Sequence, residues 1–345
     1  MSSWNLVKNA VMIAALLLIT GCGGARVDEP LTRSNFMLDT IVQVTAYGDN
    51  ASDVIDDVFE RISEIESKMT AVGEDSEVIR INKAAGIKAQ TVSSDTFYVI
   101  KRGLFYSNQS RGKFDITIGP LVRLWGIGTE NVRVPSKSEI FNALENVNYR
   151  DVVLDENDNS VFLKNKGMSL DLGGIAKGYA ADEAAEVLKK NGIKSAAIDL
   201  GGNICVIGKK PDGTMWNIGL QNPFEPRGSI FAIAAVADKT LVTSGVYERF
   251  FERDDKRYHH ILDTATGYPV ENDLVGVTII TDKSIDADAL STTMFSMGLS
   301  DGIKLVEKLQ EVDAVFVTID KKVYMSFEPD FYDFKLVSDD FQIMD

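Results

Sequence analysis

Residues 286–293, Asp-Ala-Asp-Ala-Leu-Ser-Thr-Thr, bring carboxylates and hydroxyl groups close together in the sequence. In a helix, side chains three and four residues apart lie on the same face, so Asp288, Ser291 and Thr292 would share one surface. Carboxylate and hydroxyl oxygens are hard ligands that suit Mg²⁺. We therefore expect a magnesium site here, although Asp286 or Asp288 could instead cap the start of the helix.

The protein has two histidines, His259 and His260, which are adjacent. They follow a second segment of chemical interest, residues 244–249 (Ser-Gly-Val-Tyr-Glu-Arg), and we expect the two segments to form the arms of one hairpin. Successive side chains of a strand point to opposite faces, so at most one of the two imidazoles should enter a given site. A histidine there could act as a base near neutral pH or could have only a structural role.

Two glycine-containing segments could receive a ligand. Residues 171–179 (Asp-Leu-Gly-Gly-Ile-Ala-Lys-Gly-Tyr) lie where a strand ends and a helix begins, and backbone amides at a helix start can bind phosphate oxygens. The other segment is residues 112–121, followed by Trp125. Each also has a purely structural interpretation: tight packing of a helix on a sheet for the first, and a turn, a capped helix and a buried tryptophan for the second.

The composition argues against several classes of protein. Acidic residues number 51 and basic residues 36, which argues against nonspecific binding to nucleic acid. The sequence lacks a Walker A loop, a Gly-x-Gly-x-x-Gly after a strand, a His-Glu-x-x-His and a Gly-x-Ser-x-Gly, so a nicotinamide-dependent Rossmann enzyme or a zinc peptidase is not expected. Besides Cys22 there is only Cys205, whose apolar neighbours predict a buried thiol and no disulfide.

The elements that must position these residues form an α+β body. Apolar residues recur with helical spacing in residues 54–69, 94–109, 175–190, 286–297 and 300–309. Short apolar runs separated by turn residues predict strands at 152–154, 161–163, 196–200, 204–207, 231–236, 275–281, 314–319 and 323–327. This mixture favours largely antiparallel sheets with packed helices. Without a linker or a repeat, we expect a single domain over residues 33–345.

Residues 1–21 have the features of a bacterial lipoprotein signal peptide. An apolar run over residues 10–19, too short to span a bilayer, is followed by Thr-Gly-Cys, the small residues and cysteine that a lipoprotein signal peptidase requires. We therefore expect Cys22 to carry lipid and residues 22–32 to form a flexible tether. The mature protein would be exported and anchored to a bacterial membrane, facing the periplasm, without spanning it. The sequence does not decide between the inner and the outer membrane.

Together these segments resemble the FAD:protein FMN transferase family, the flavin transferases also called ApbE lipoproteins. The resemblance spans nearly all of the mature chain. It is carried by residues 37–40, 76–82, 114–115, 119–121, 171–182, 199–203, 244–247, 260–263, 266–267 and 288–292. One departure is Asp263-Thr264, where many members have Asp-Pro. The resemblance implies an ApbE-like fold related to the T-fold. It also implies an enzyme that uses Mg²⁺ to transfer FMN from FAD to a threonine hydroxyl of a partner protein, releasing AMP.

The resemblance further implies roles for individual residues. Asp288 and Thr292 match metal-binding positions, with the backbone carbonyls of Ala176 and Ser291 as further candidate ligands. His260 matches a histidine that helps to activate the acceptor hydroxyl. The residues that match flavin-site positions are Asn82, Lys177, Asp182 and Tyr247.

The acceptors implied by the resemblance are flavoprotein subunits of membrane redox complexes, such as the Na⁺-translocating NADH:quinone oxidoreductase or related electron-transport complexes. Two other functions stay open from the sequence. The same metal and flavin residues would serve a Mg²⁺-dependent FAD pyrophosphatase that releases FMN and AMP. They would also serve a lipoprotein that binds flavin without catalysis.

Overall fold

A nine-stranded, mostly antiparallel sheet forms the centre of the protein. The computed structural model describes residues 29–344. Its strands are β1 (Leu31–Met37), β2 (Thr40–Ala46), β3 (Gln90–Thr91), β4 (Val152–Asp155), β5 (Ser160–Leu163), β6 (Ala196–Leu200), β7 (Asn203–Ile207), β8 (Trp216–Gln221), β9 (Ile230–Val236), β10 (Thr240–Gly245), β11 (Phe250–Arg253), β12 (Lys256–His259), β13 (Leu274–Thr281), β14 (Asp313–Thr318), β15 (Lys322–Met325), β16 (Lys335–Leu336) and β17 (Gln342–Ile343). The central sheet has the order β1-β2-β6-β7-β10-β13-β14-β15-β17, and only β15 and β17 pair in parallel.

Eight α-helices occur in the described part of the chain. They are α1 (Ala51–Met69), α2 (Glu77–Lys83), α3 (Ser94–Gln109), α4 (Gly119–Trp125), α5 (Lys137–Leu144), α6 (Ala176–Lys190), α7 (Ser284–Met297) and α8 (Leu299–Val306). Helices α6 and α7 pack against each other on one face of the central sheet, and α1 packs against α6. Of the two helices that carry candidate site residues, α7 packs directly on strands β10 and β13, and α6 packs on β6 and β7.

A second sheet, β16-β9-β8, covers the other face of the central sheet. Leu220 and Phe231 of this sheet belong to the same buried apolar cluster as Leu241 and Ile280 of the central sheet. Because both faces are covered, all eight residues of β13 are buried. The remaining small sheets are β3-β5-β4 and the hairpin β11-β12.

Residues 112–126 have a structural role. The Asp115 carboxylate accepts hydrogen bonds from the N–H and hydroxyl of Thr117, at 2.8 and 2.7 Å, and from the N–H of Tyr149, at 3.0 Å. Trp125 is fully buried, and its indole N–H donates to the carbonyl of Gly267 at 2.8 Å. The turn and buried tryptophan considered from the sequence are what the structure contains.

Helices α6 and α7 cross at Gly178. A Cβ atom on this residue would lie 2.2 Å from the carbonyl oxygen of Ser284, closer than any side chain tolerates. Glycine at this position therefore allows the backbones of the two helices to touch. Tight packing explains this particular glycine of residues 171–179.

The α+β class with largely antiparallel sheets is confirmed, and several predicted boundaries differ from the observed ones. Helix α7 begins at Ser284, two residues before its predicted start, and α8 ends at Val306, short of Leu309. The predicted hairpin is wrong: the observed hairpin is formed by β11 and β12. Residues 244–249 lie at the end of β10 and in the turn that follows, and of residues 259–263 only His259 lies in β12. A tight turn at Asp254-Asp255, where both residues have positive φ, connects the true arms.

The N-terminal predictions fall mostly outside the structure. The signal peptide at 1–21 and the lipid-bearing Cys22 are outside the described residues. Strand β1 begins at Leu31, so the last two residues of the predicted tether belong to the sheet. Within residues 29–344, no helix combines the length and the apolar character needed to cross a membrane.

Candidate functional site

Asp288 occupies the contact between α7 and α6. Its Oδ2 accepts a hydrogen bond of 2.8 Å from the backbone N–H of Gly178, the residue at the helix crossing. The residue is 4% exposed, and burial raises the pKa of its carboxyl group, while the positive charge of Lys177 acts in the opposite direction. A buried carboxylate held by a single amide has a strong electrostatic demand for a cation.

Hydroxyl groups gather one helical turn after Asp288. The Ser244 Oγ at the end of β10 lies 2.8 Å from Ser291 Oγ and 3.1 Å from Thr292 Oγ1. Ser291 Oγ also lies 2.9 Å from the backbone carbonyl oxygen of Asp288, to which it can donate. The shared helix face predicted from the sequence is therefore present, and it meets a strand that contributes another hydroxyl.

This donor set fits a hard divalent cation better than a soft one. Among residues 29–344, no three side chains of the types His, Cys, Asp and Glu come together as a metal cluster. A cation here would rely on Asp288 and Thr292, on the backbone carbonyl of Ser291, and on the backbone carbonyl of Ala176 at the buried start of α6. Mg²⁺ accepts few protein ligands and completes its shell with water and phosphate oxygens.

The capping alternative for Asp286 and Asp288 does not hold. Asp286 accepts a hydrogen bond of 3.0 Å from Arg102 Nε, and Asp288 reaches α6. The start of α7 is instead capped from α6 by Asp182, whose two carboxylate oxygens accept the N–H groups of Ser284 and Ile285 at 2.8 and 3.0 Å. The two helices thus exchange carboxylate–amide bonds in both directions.

Lys177 contributes positive charge to the site. It lies on the first turn of α6, and its charge opposes the burial that raises the pKa of Asp288 and Asp199 and adds to the burial that lowers the pKa of His260. These three groups come from different elements, and the charge of this one residue acts on all of them. Just before α6, a Cβ on Gly174 would lie 3.1 Å from the Phe114 ring and 3.8 Å from Thr292 Oγ1. The glycine segment therefore opens next to the hydroxyl groups.

His260 and His259 have separate surroundings. The backbone N–H of His260 donates to the backbone carbonyl of Arg249 at 3.0 Å. The ring nitrogen Nδ1 of His260 lies 3.2 Å from the same oxygen. Because a carbonyl only accepts, Nδ1 carries the proton and Nε2 is left as the basic nitrogen. His259 is buried, with Nε2 2.9 Å from the carbonyl of Val270 and its ring edge-on to Phe295.

The electrostatic surroundings keep His260 neutral. Burial of the ring, reinforced by the charge of Lys177, lowers the pKa of His260 from 6.5 to about 3. The bond to Arg249 acts in the opposite direction but is weaker. An imidazole in this state is available as a proton acceptor throughout the physiological pH range.

Two of the predicted flavin-site residues use their side chains within the protein. Asn82 accepts the N–H of Leu170 at 2.7 Å and donates to the carbonyl of the same residue at 3.0 Å. Asp182 caps α7, as described above. These contacts fix the backbone before α6 and the start of α7, and a direct contact of either side chain with flavin stays a prediction.

Tyr247 lies at the edge of the site on the turn after β10. Its ring covers the backbone of Gly245, where a Cβ would lie 2.4 Å from a ring carbon, and it also approaches Gly276. Burial raises the pKa of its hydroxyl above the usual value, so the phenol stays protonated. The ring offers an apolar surface with a hydroxyl donor, and its contact with flavin also stays a prediction.

Three residues near the site were not predicted individually. Ser244 completes the hydroxyl cluster, Asp199 accepts the Gly202 N–H at 2.8 Å near Lys177, and Arg249 holds His260 through its carbonyl. The segments around them were noticed in the sequence. Their individual roles depend on contacts between distant elements, which leave no periodic signal.

Comparison with known proteins identifies a consistent group of relatives. The sequence model of the ApbE family matches residues 38–316. An FAD:protein FMN transferase of Klebsiella pneumoniae is 38% identical over 288 residues, covering 84% of this chain and 89% of the relative. One from Treponema pallidum is 35% identical over 334 residues, covering 92% of each chain. The crystal structure of the ApbE protein of Thermotoga maritima superposes with a TM-score of 0.81 at 32% identity, covering 88% of this chain and 99% of the other.

Proposed function

This chain belongs to the ApbE family and is an FAD:protein FMN transferase, and from that premise we propose that Mg²⁺ binds at Asp288 and that His260 accepts the proton of the acceptor threonine. The observation that carries the proposal is the buried Asp288 carboxylate, which has one amide partner and lies one helical turn from a cluster of hydroxyl groups. The proposed ligands are Asp288 and Thr292, with the carbonyls of Ala176 and Ser291.

The reaction breaks the phosphoanhydride bond of FAD and forms a phosphoester bond to the acceptor. The threonine oxygen forms a bond to the FMN phosphorus of FAD, the bridging oxygen leaves with AMP, and the hydroxyl proton moves to Nε2 of His260. When bound, Mg²⁺ offsets the negative charge of the pyrophosphate, which would otherwise repel the nucleophile. Lys177 contributes a further positive charge beside the same group of residues.

The contacts of His260 suit a general base. The Arg249 carbonyl fixes the proton on Nδ1, so Nε2 can face the hydroxyl. Although a pKa of about 3 makes the free imidazole a weak base, a bound polyanion would raise that pKa by favouring the charged form. Asp182 and Asn82 support the site by fixing α7 and the segment before α6.

A transfer assay tests the proposed function. The full-length chain in detergent is incubated with FAD, Mg²⁺ and an exported flavoprotein domain that bears the acceptor threonine. We expect flavin fluorescence on the denatured acceptor band and one AMP per labelled acceptor, both abolished by EDTA. AMP and free FMN without a labelled band would indicate an FAD pyrophosphatase. Binding of FAD without AMP release would indicate a flavin-binding protein.

We further propose that the enzyme is exported, is held at a bacterial membrane by lipid on Cys22 and modifies flavoprotein subunits of membrane redox complexes. The short apolar run and the Thr-Gly-Cys sequence support the anchor. A Cys22→Ser variant is expected to leave the membrane fraction while its specific activity in solution stays the same. The checks are cell fractionation and incorporation of radioactive palmitate. A variant that still fractionates with membranes and still takes up label would contradict the anchor.

A further inference from the structure

The β1–β2 hairpin has one face turned to solvent, and most of its cross-strand pairs are polar. Thr32 and Thr45 are paired with their hydroxyl oxygens 2.9 Å apart. The next pair on this face is Ser34 and Gln43, whose side-chain amide donates to the serine hydroxyl at 3.3 Å. Hydrogen-bonded polar pairs are what an exposed sheet face is expected to have.

The third pair on this face is apolar. Phe36 and Ile41 are directly paired and are 71% and 60% exposed. Next to them in the sequence, Met37 and Val42 point to the other face and are buried, so the strand register leaves no doubt that Phe36 and Ile41 point outward. Paired, well-exposed apolar side chains on an otherwise polar face mark an interaction surface. We call them the Phe36–Ile41 pair.

The hairpin that carries the Phe36–Ile41 pair is linked through Arg249 to the proposed catalytic histidine. The turn of the hairpin is Leu38-Asp39, and the carbonyl of Asp39 accepts a hydrogen bond of 3.2 Å from Arg249 Nη2. The backbone carbonyl of Arg249 in turn accepts a hydrogen bond from the backbone N–H of His260. A strand rises about 3.4 Å per residue, so Ile41 is about 7 Å and Phe36 about 10 Å along the hairpin from Asp39. A molecule seated on the pair would therefore lie close to the turn that Arg249 contacts.

The chain enters the hairpin from the other end. Strand β1 begins at Leu31, and seven residues of strand separate that end from the turn, about 23 Å. Glu29 and Pro30, directly before the strand, are exposed. The segment that leads into β1 therefore approaches the end of the hairpin farthest from the Phe36–Ile41 pair.

We propose that the Phe36–Ile41 pair is a contact surface for the folded acceptor protein. The inference rests on the proposed function, because transfer to a protein requires a second macromolecule to rest on the rim of the site while its threonine reaches His260. Aromatic and aliphatic side chains of this kind form the centre of protein interfaces. Phe250, next in sequence to Arg249, is a further exposed apolar residue, 41% exposed.

The test is a double variant, Phe36→Thr with Ile41→Thr, in the full-length chain. A threonine pair repeats the Thr32–Thr45 pair of the same face and keeps β propensity, so folding is preserved. Acceptors are the folded flavoprotein domain and a short synthetic peptide containing the same threonine. We expect KM for the folded domain to rise about 10-fold or more, the loss of roughly 1.4 kcal/mol of binding. We expect KM for the peptide, kcat and the Kd for FAD to stay within twofold.

Phe331→Ser is the matched control, because Phe331 is 70% exposed and lies in residues 329–332, next to β9 of the second sheet. An unchanged KM for the folded domain in the double variant would overturn the inference. If, in addition, light scattering gave a smaller mass for the double variant than for the wild type, the pair would be assigned to contact between two copies of this chain. If the wild-type enzyme released AMP but labelled no acceptor, the proposed function itself would fail.

Discussion

An Asp288→Asn variant is expected to lose FMN transfer by about 100-fold or more at millimolar Mg²⁺, the scale on which one preorganised electrostatic contact contributes to kcat. Asp288 is the one carboxylate among the proposed ligands, and asparagine supplies an oxygen without the charge that a divalent cation requires. We expect the affinity for Mn²⁺, measured by paramagnetic resonance as a substitute for Mg²⁺, to fall in parallel. Metal affinity separates loss of the cation from other causes of inactivity.

Stability is expected to move the other way in the Asp288→Asn variant. The folded-state pKa of Asp288 is raised, so the folded protein binds this proton more tightly than the unfolded chain does, and ionisation above the unfolded pKa of about 3.9 destabilises the fold. Asparagine has the same size and can still accept the Gly178 N–H. The Tm at pH 7 without metal is therefore expected to be equal to or higher than that of the wild type.

Asp301→Asn is the control for this change. Asp301 is an exposed aspartate of α8 paired with Lys304 at 2.9 Å, so its replacement is expected to alter neither transfer nor Mn²⁺ affinity. Full activity of Asp288→Asn would remove the metal assignment. A large loss of Tm in the absence of metal would indicate that the carboxylate holds α6 and α7 together and has no ligand role.

The paired histidines offer a second experiment with a built-in control. His260→Gln is expected to reduce kcat for transfer by roughly 10²- to 10⁴-fold, the usual contribution of a general base. The Kd for FAD, measured by quenching of flavin fluorescence, is expected to change little, because the imidazole acts on the acceptor hydroxyl. The Tm is expected to change little as well, since Nδ1 makes a single bond to a nearby turn.

His259→Gln is expected to show the opposite pattern. This imidazole is buried between the Val270 carbonyl and Phe295, and its loss is expected to cost about 1–3 kcal/mol of unfolding free energy. Transfer per folded molecule is expected to stay near the wild-type value. If the two variants lost activity equally at equal Tm, His260 would have no separate role in proton transfer.

The pH dependence of kcat/KM for FAD extends the histidine experiment. This parameter reports ionisations of the enzyme before FAD binds, and the lowered pKa of His260, about 3, keeps the ring neutral at all higher pH in that state. We therefore expect no acid limb near pH 6.5, the value for an ordinary histidine. An acid limb at that pH, present in the wild type and absent in His260→Gln, would contradict the proposed surroundings of the ring.

Local patterns in the sequence were sufficient to predict several features of the fold and of the candidate site. The helical spacing placed Asp288, Ser291 and Thr292 on one face, because the periodicity of a helix depends only on its own backbone. Helix α3 and strand β6 have the predicted bounds for the same reason. The family followed from many short motifs in a fixed order, and the α+β class from the mixture of the two periodicities.

Contacts between distant residues were decided only by the tertiary structure. Capping of α7 by Asp182 crosses 102 residues, and the Ser244–Ser291 contact crosses 47. A carboxylate looks the same in sequence whether it caps its own helix or another, so the assignment of Asp286 and Asp288 as alternative caps could not be settled locally. The hairpin error has the same origin, because strand pairing depends on the fold as a whole.

The proposed magnesium site shows most clearly what the sequence could and could not predict. The sequence by itself determined which oxygen atoms one face of α7 presents, because side-chain spacing along a helix is fixed by backbone geometry. Only the tertiary structure decided that this face meets Ser244 and the Gly178 amide, that the charge of Lys177 acts on both Asp288 and His260, and that His259 packs elsewhere, against the Val270 carbonyl. The physical reason is that charge, burial and hydrogen bonding are properties of neighbours in space, which a chain acquires only when its elements pack.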